Sequence, residues 1–355
     1  MVMPSREEIV AALGLVIDPE LRRPVTELDM VRDVRIDGGD VSVTIALTVV
    51  GCPLRSSFET QVAEHVGGLP GVASVTLSFD VMTPDERAAL TTKLRGGAEV
   101  RGVQLPATTR VIAVASGKGG VGKSTLTANL AAALASLGRE VGILDADIYG
   151  HSIPHMLGIR QKPVVVDKMI VPPVAHDLKL MSIGFFLDDN QPVMWRGPML
   201  HRALEQFLQD VHWGDLDVLV VDMPPGTGDV SISLGQLLPR AETVVITTPQ
   251  PLAQEVASRA ATMAQKTGLR LVGVVENMSS DVFGVGGGDR LAAELDVPLL
   301  GRVPLDVALR ESADDGIPLV VSRPESEPAQ RIFEIARTID ARRVGGFTST
   351  LPLVS

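Results

Sequence analysis

The sequence predicts an α/β protein: a mainly parallel sheet flanked by helices, with a small α+β domain at the N-terminus. Three observations predict it. Apolar, β-branched runs recur between residues 109 and 344, and several of them lead into stretches of helical periodicity. The composition is 45% hydrophobic but only 3% aromatic, so Val, Leu, Ile and Ala must fill the core, as suits a parallel sheet covered on both faces. A glycine-rich break, Gly117 to Gly122, joins one such strand directly to a helix.

Residues 1–82 read as the small domain. Ser5 caps a short helix with Ile9, Val10 and Leu13 on one face. Asp18-Pro19-Glu20 marks a turn. Met30–Ile36 and Val41–Val50 are strands joined at Asp37-Gly38-Gly39-Asp40, a hairpin turn. Gly51-Cys52-Pro53 opens a helix whose apolar positions, Leu54, Phe58, Val62 and Val66, repeat every four residues. Val72–Met82 is a third strand. Residues 83–108 are polar, helix-prone over Asp85–Arg95 and then rich in Gly and Pro, and are expected to be a linker.

The large domain is expected over residues 109–344, followed by a tail, 345–355, with little to pack. Its strands are Val111–Ala115, Val141–Leu144, Asp217–Asp222, Thr243–Thr248 and Leu271–Val275. Helices are expected after Gly122, with Leu126, Leu130, Leu134 and Leu137 as an apolar stripe ended by Gly138, and over Ala329–Arg343. A further helix follows V-M-W-R-G-P-M, with Leu200, Leu204, Phe207 and Leu208 on one face. Residues 155–192 are expected to be irregular.

Gly117 to Ser124 fits G-x-x-x-x-G-K-[ST], the phosphate-binding loop. Gly117, Gly119, Gly120 and Gly122 let backbone N–H groups, together with those of Val121 and Thr125, wrap a polyphosphate without side-chain clashes. The helix that follows adds unpaired N–H donors and the positive end of its dipole. Lys123 brings a mobile charge to the β- and γ-phosphates, and Ser124 offers a hydroxyl to Mg²⁺. Asp145 and Asp147 end one parallel strand and Asp222 ends another, at the crevice where open α/β sheets bind ligands. Asp222 suits a carboxylate that binds Mg²⁺ through water, and Asp145 and Asp147 suit either that task or orienting an attacking water. The motif therefore points to an ATP hydrolase using ATP and Mg²⁺, with a P-loop NTPase fold. Met223 to Asp229, rich in Pro and Gly, has the make-up of a switch loop.

The formal net charge of −11 and the lack of a Lys/Arg block argue against nucleic acid as a partner. No apolar run is long enough to span a bilayer and the N-terminus has no signal-peptide form, so a cytoplasmic protein with no membrane partner is expected. The single cysteine, Cys52, excludes disulfides within the chain. Placed at a helix start, Cys52 is either a thiolate of lowered pKa or a buried structural residue.

The loop G-K-G-G-V-G-K-S-T, with its additional Lys118, resembles the deviant phosphate loop of the ATPases related to MinD, ParA and the nitrogenase iron protein. That resemblance implies a homodimer in which Lys118 reaches the partner subunit's nucleotide. It also implies that Lys118 and Lys123 stabilise phosphate charge, that Asp147 positions the hydrolytic water and that Asp145 belongs to the Mg²⁺ network. By the same likeness Asn277 contacts the adenine and Pro304 lies in the segment closing its other side. Together with D-A-D-I-Y-G-H-S-I-P, W-R-G-P-M, D-M-P-P-G-T-G-D, E-N-M-S and V-S-R-P-E-S-E, the loop resembles the Mrp/ApbC family of iron–sulfur cluster carriers over essentially the whole chain. The N-terminal order, ending in T-x-x-G-C-P, resembles a domain tied to iron–sulfur assembly. The resemblance implies cluster transfer to apoprotein recipients or work with other assembly proteins, with Cys52 as a candidate iron or sulfur ligand. One departure stands out. Many members carry C-x-x-C shortly after N-M-S and bridge a cluster between two subunits with it, whereas this chain reads Ser279-Ser280-Asp281-Val282-Phe283-Gly284. An ATP-switched dimeric binding module, or a metal-handling adaptor without a cluster of its own, are the alternative functions.

Overall fold

The computed structural model describes residues 4–48, 55–94, 105–106, 108–148, 150–187, 197–226 and 229–342. The N-terminal part contains α1 (Arg6–Leu13), β1 (Val31–Asp37), β2 (Asp40–Leu47), α2 (Arg55–His65), β3 (Ser74–Val81) and α3 (Pro84–Leu94). Ser5 and Glu8 form a reciprocal capping box at the start of α1, each satisfying a donor that helix geometry leaves free. β1 and β2 pair antiparallel through the expected hairpin. β2 and β3 pair parallel, with α2 as the crossover. The alternation Val41, Val43, Ile45, Leu47 on β2 puts four buried side chains on one face.

The stretch expected as a linker starts with a packed helix. On α3, Leu90 and Thr91 are buried. Lys93 pairs with Asp29 at 2.6 Å, and Glu86 pairs with Arg32 at 2.7 Å. Leu90 belongs to the same apolar cluster as Ile9, Val43 and Phe58, so α3 is part of the N-terminal core rather than a tether.

The large part begins with β4 (Arg110–Ser116), α4 (Lys123–Ser136), β5 (Val141–Asp145) and α5 (Ile153–Met156). The residues expected to be irregular then form four strands: β6 (Val164–Val166), β7 (Met169–Val171), β8 (Val174–Ala175) and β9 (Leu178–Ser182). These strands are too short for alternation to show, and their turns use non-glycine residues with positive φ, Asp167, His176 and Asp177. The chain continues with α6 (Gly197–Gln209), β10 (Val218–Asp222), α7 (Asp229–Leu237), β11 (Glu242–Thr247) and α8 (Pro251–Lys266). It ends with β12 (Arg270–Ser279), α9 (Gly287–Glu294), β13 (Leu299–Pro304), α10 (Val307–Asp315), α11 (Leu319–Ser322) and α12 (Glu327–Ala341).

Eight strands form one sheet in the order β13-β12-β11-β4-β10-β5-β9-β8. All neighbours run parallel except β8, which turns back on β9. One face is covered by α4 and α12, whose Leu130, Leu134, Ile332 and Ile335 share a core with Val220 and Val244. The other is covered by α6 and α7, with Leu204, Leu208, Leu234 and the fully buried Trp213. The hairpin β6–β7 belongs to neither face. Its Val166, Met169 and Val171 lie in the apolar cluster of the N-terminal part, and the Thr91 hydroxyl donates to the Val166 carbonyl at 3.2 Å. None of the described helices is long and apolar enough to cross a membrane.

Candidate nucleotide site

The phosphate loop connects the C-terminal end of β4 to the first turn of α4. Two of its glycines are required by geometry. A Cβ on Gly117 would collide with the backbone at Val256 and Ala257 of α8. Gly122 holds φ +79°, and a Cβ there would run into the Asn277 amide. The loop borders a cavity of about 410 Å³, whose wall includes Lys118, Lys123, Ser124, Thr125, Asp147 and Pro225.

Beside it four charged groups meet: Lys123 of α4 and the aspartates Asp145, Asp147 and Asp222. β5 and β10 are neighbours in register, so Asp145 and Asp222 lie opposite each other, both fully buried. The Lys123 ammonium is 2.7 Å from Asp222 Oδ2 and 3.4 Å from Asp147 Oδ2. Asp222 also accepts from Ser124 Oγ at 2.6 Å and from Thr127 Oγ1 at 2.8 Å. Burial pushes the Asp222 carboxyl up, while Lys123, Ser124 and Thr127 pull the other way. Asp145 has fewer donors: Ser182 Oγ at 2.9 Å and the Asp147 N–H at 3.2 Å. Its pKa is raised to about 8, first by burial and then by the Asp222 charge. Burial therefore pushes both carboxyls toward the protonated form, against the pull of Lys123 and the hydroxyl donors.

This arrangement sorts the expected residues. Lys118, Gly119, Gly120, Gly122, Lys123, Ser124, Thr125 and Asp147 share the cavity wall, and Val121 is buried behind it. The described residues show no ion pair on the Lys118 ammonium. Asp147 also accepts from the Gly150 N–H at 3.1 Å, which fixes its carboxylate at the cavity edge. Asn277 joins the loop from the end of β12, its Nδ2 donating to the Val121 carbonyl at 2.8 Å. Its Oδ1 is buried with no partner among the described residues, an acceptor that fits a ligand amino group. Neither Asp145 nor Asp222 is on the wall, and both oxygens of each are engaged: Asp145 accepts from Ser182 and the Asp147 N–H, Asp222 from Ser124, Thr127 and Lys123. Pro304 lines a different concavity, of about 350 Å³, with Ser279, Arg302 and Arg331. Sequence reading missed Thr127 and Ser182. Thr127 is three residues beyond Ser124, one helical turn, so the spacing was the available signal. Ser182 lay in the stretch expected to be irregular. Cys52, Tyr149, Trp195, Thr227 and Gly228 lie outside the described residues.

The donor set fits Mg²⁺. A serine hydroxyl and a carboxylate oxygen, 2.6 Å apart at a phosphate loop, are the hard oxygen ligands that this ion takes. For an iron–sulfur cluster the described residues, which do not include Cys52, offer no such set. No group of three or more His, Cys, Asp or Glu able to hold a metal occurs among the described residues. At the place of the C-x-x-C, Ser280 and Gly284 close a tight turn with reciprocal backbone hydrogen bonds of 3.1 and 2.7 Å, and Val282 at its tip is exposed.

Comparison with known proteins agrees with this geometry. A sequence family described as "NUBPL iron-transfer P-loop NTPase" matches residues 107–340, and one described as "Iron-sulfur cluster assembly protein" matches residues 6–77. The iron–sulfur cluster carrier protein of Mycobacterium leprae is 50% identical, over 95% of this chain and 93% of its own. That of Bacillus subtilis is 40% identical over 96% and 99%. Among solved structures, a nucleotide-binding protein of Archaeoglobus fulgidus in complex with ADP is 37% identical. It superposes with a TM-score of 0.53, covering 61% of this chain and 89% of its own. MinD of Pyrococcus horikoshii, complexed with Mg-ADP, has a TM-score of 0.53 at 24% identity over 68% of this chain and all of its own, a likeness of fold.

Proposed function

The chain belongs to the NUBPL-type iron-transfer P-loop NTPase family, and from that premise we propose that it binds and hydrolyses Mg-ATP and serves iron–sulfur cluster delivery or assembly. The observation that carries the ATPase half is the meeting of Lys123, Ser124, Asp147 and Asp222 at the phosphate loop. Lys123 leaves its two carboxylates for the β- and γ-phosphates, where its charge balances what develops on transfer. Ser124 and Asp222 hold Mg²⁺, which supplies further positive charge to those oxygens when bound. Asp147, fixed by Gly150, orients the attacking water. Thr127 holds Asp222 in place. Asn277 reads the base with its free carbonyl oxygen. Lys118, which carries no ion pair among the described residues, is the loop's second cation and reaches the nucleotide of a second copy in a homodimer.

The test is nucleotide affinity of Lys123→Ala. Loss of ATP binding supports the site; unchanged affinity contradicts it.

The cargo half rests on the family and on Cys52. One thiol per chain gives a homodimer two, against the four thiolates that usually hold a [4Fe–4S] cluster. Cluster carriage by this chain therefore uses Cys52 with ligands borrowed from a recipient or a small molecule. The Ser280–Gly284 turn favours a second reading, in which the chain is an ATP-switched dimer acting on another carrier and holds no cluster itself.

A further inference from the structure

A separate cavity, whose lining shares no residue with the phosphate-loop cavity, lies at the N-terminal ends of β5 and β9. Its volume is about 550 Å³, and both parts of the chain line it: Arg22 and Arg23 from the N-terminal side, Glu140, Lys179, Trp213 and Asp215 from the large sheet. Lys179 projects from β9 and is only 4% exposed. Its ammonium has three donors, and one acceptor is found among the described residues, the Trp213 carbonyl at 2.7 Å. Burial first, then the Arg22 charge, lowers its pKa to about 8, with Arg23 acting in the same direction. Arg22 sits in the left-handed region at φ +53°, an uncommon conformation for a side chain of its size. Its guanidinium pairs with Glu140 and donates to the Asp177 carbonyl at 2.9 Å. Arg22 is paired with Glu140 and Arg23 with Glu27 at 2.8 Å, while the buried Lys179 ammonium is short of hydrogen-bond acceptors among the described residues.

We propose that this seam is an anion site, taking a small multivalent oxyanion of the phosphate or polycarboxylate class on Lys179, Arg22 and Arg23. The anion completes the hydrogen bonding of Lys179 and joins the N-terminal part to the nucleotide-binding sheet through charge-assisted bonds. None of the residues assigned to the nucleotide lines this cavity, so the two functions separate cleanly.

The experiment is calorimetric titration of the full chain with inorganic phosphate and, separately, with citrate, at fixed ionic strength. It is done in a Lys123→Ala background to silence the phosphate loop. Saturable binding is expected for at least one ion, weakened tenfold or more by Lys179→Met and by Arg23→Gln. The Arg23 side chain is 42% exposed, so its substitution leaves folding intact. In the wild-type background Lys179→Met is expected to leave ATP affinity unchanged. No saturable binding of either ion, or binding that both substitutions leave untouched, overturns the proposal.

Discussion

At the scale of single residues, the Asp145–Asp222 pair has consequences that a pH titration can read. A carboxyl whose pKa rises on folding binds its proton more tightly in the folded state. Its contribution is fully present below the ordinary carboxylate range and is lost as pH rises toward about 8. Asp145→Asn is expected to flatten the fall in stability between about pH 4 and 8, measured by urea denaturation; an unchanged profile would show that Asp145 is already ionised at low pH. Glu20, raised to about 7 by burial and by Asp18, slopes the same way, so the comparison is made against wild type rather than against a flat line. Thr127→Val removes a buried donor from Asp222 and is expected to cost about 1–3 kcal/mol, a cost that urea denaturation would show to be absent if Thr127 only filled space. The phosphate-loop residues and Asp222 were legible because their chemistry demands fixed residue types at fixed spacings. The placement of Asp145 behind the wall was not, because two Asp after a strand look alike until β9 brings Ser182 against one of them.

At the scale of elements, the long strands and helices were readable from periodicity. The stripe Leu126, Leu130, Leu134 of α4 is buried along its length against the sheet. Leu134→Ala is expected to destabilise by about 2–5 kcal/mol, the range for emptying a fully buried leucine site. The short elements were not readable. β6 and β7 are three residues each, below the length at which alternation differs from chance, yet they carry an apolar contact between the two parts of the chain. Met169→Ala is expected to cost about 2–5 kcal/mol in the same assay, since Met169 is 1% exposed in the N-terminal core. A cost near zero would mean that the hairpin does not pack there in solution.

For the whole molecule, the organisation that matters is one apolar cluster shared between the N-terminal part and a hairpin of the large part. The hairpin follows Asp147 and α5 in the chain and precedes β9, whose Ser182 holds Asp145. The N-terminal part, which matches an iron–sulfur assembly family, thus packs on a hairpin that lies in the chain between Asp147 and Asp222. Sequence alone showed two regions and the chemistry of one; it did not show this joint, because tertiary contacts between short apolar runs leave no periodic trace. The central claim is that an ATP-driven member of this family serves cluster delivery with a single cysteine per chain. It is tested most directly by iron and sulfide content and absorption spectrum after anaerobic reconstitution of wild type and Cys52→Ser. Cluster is expected in the wild type at a fixed ratio per dimer and none in Cys52→Ser. Absence of iron from the wild type, or equal iron in both, would contradict it and leave an ATP-switched dimer whose cargo lies elsewhere.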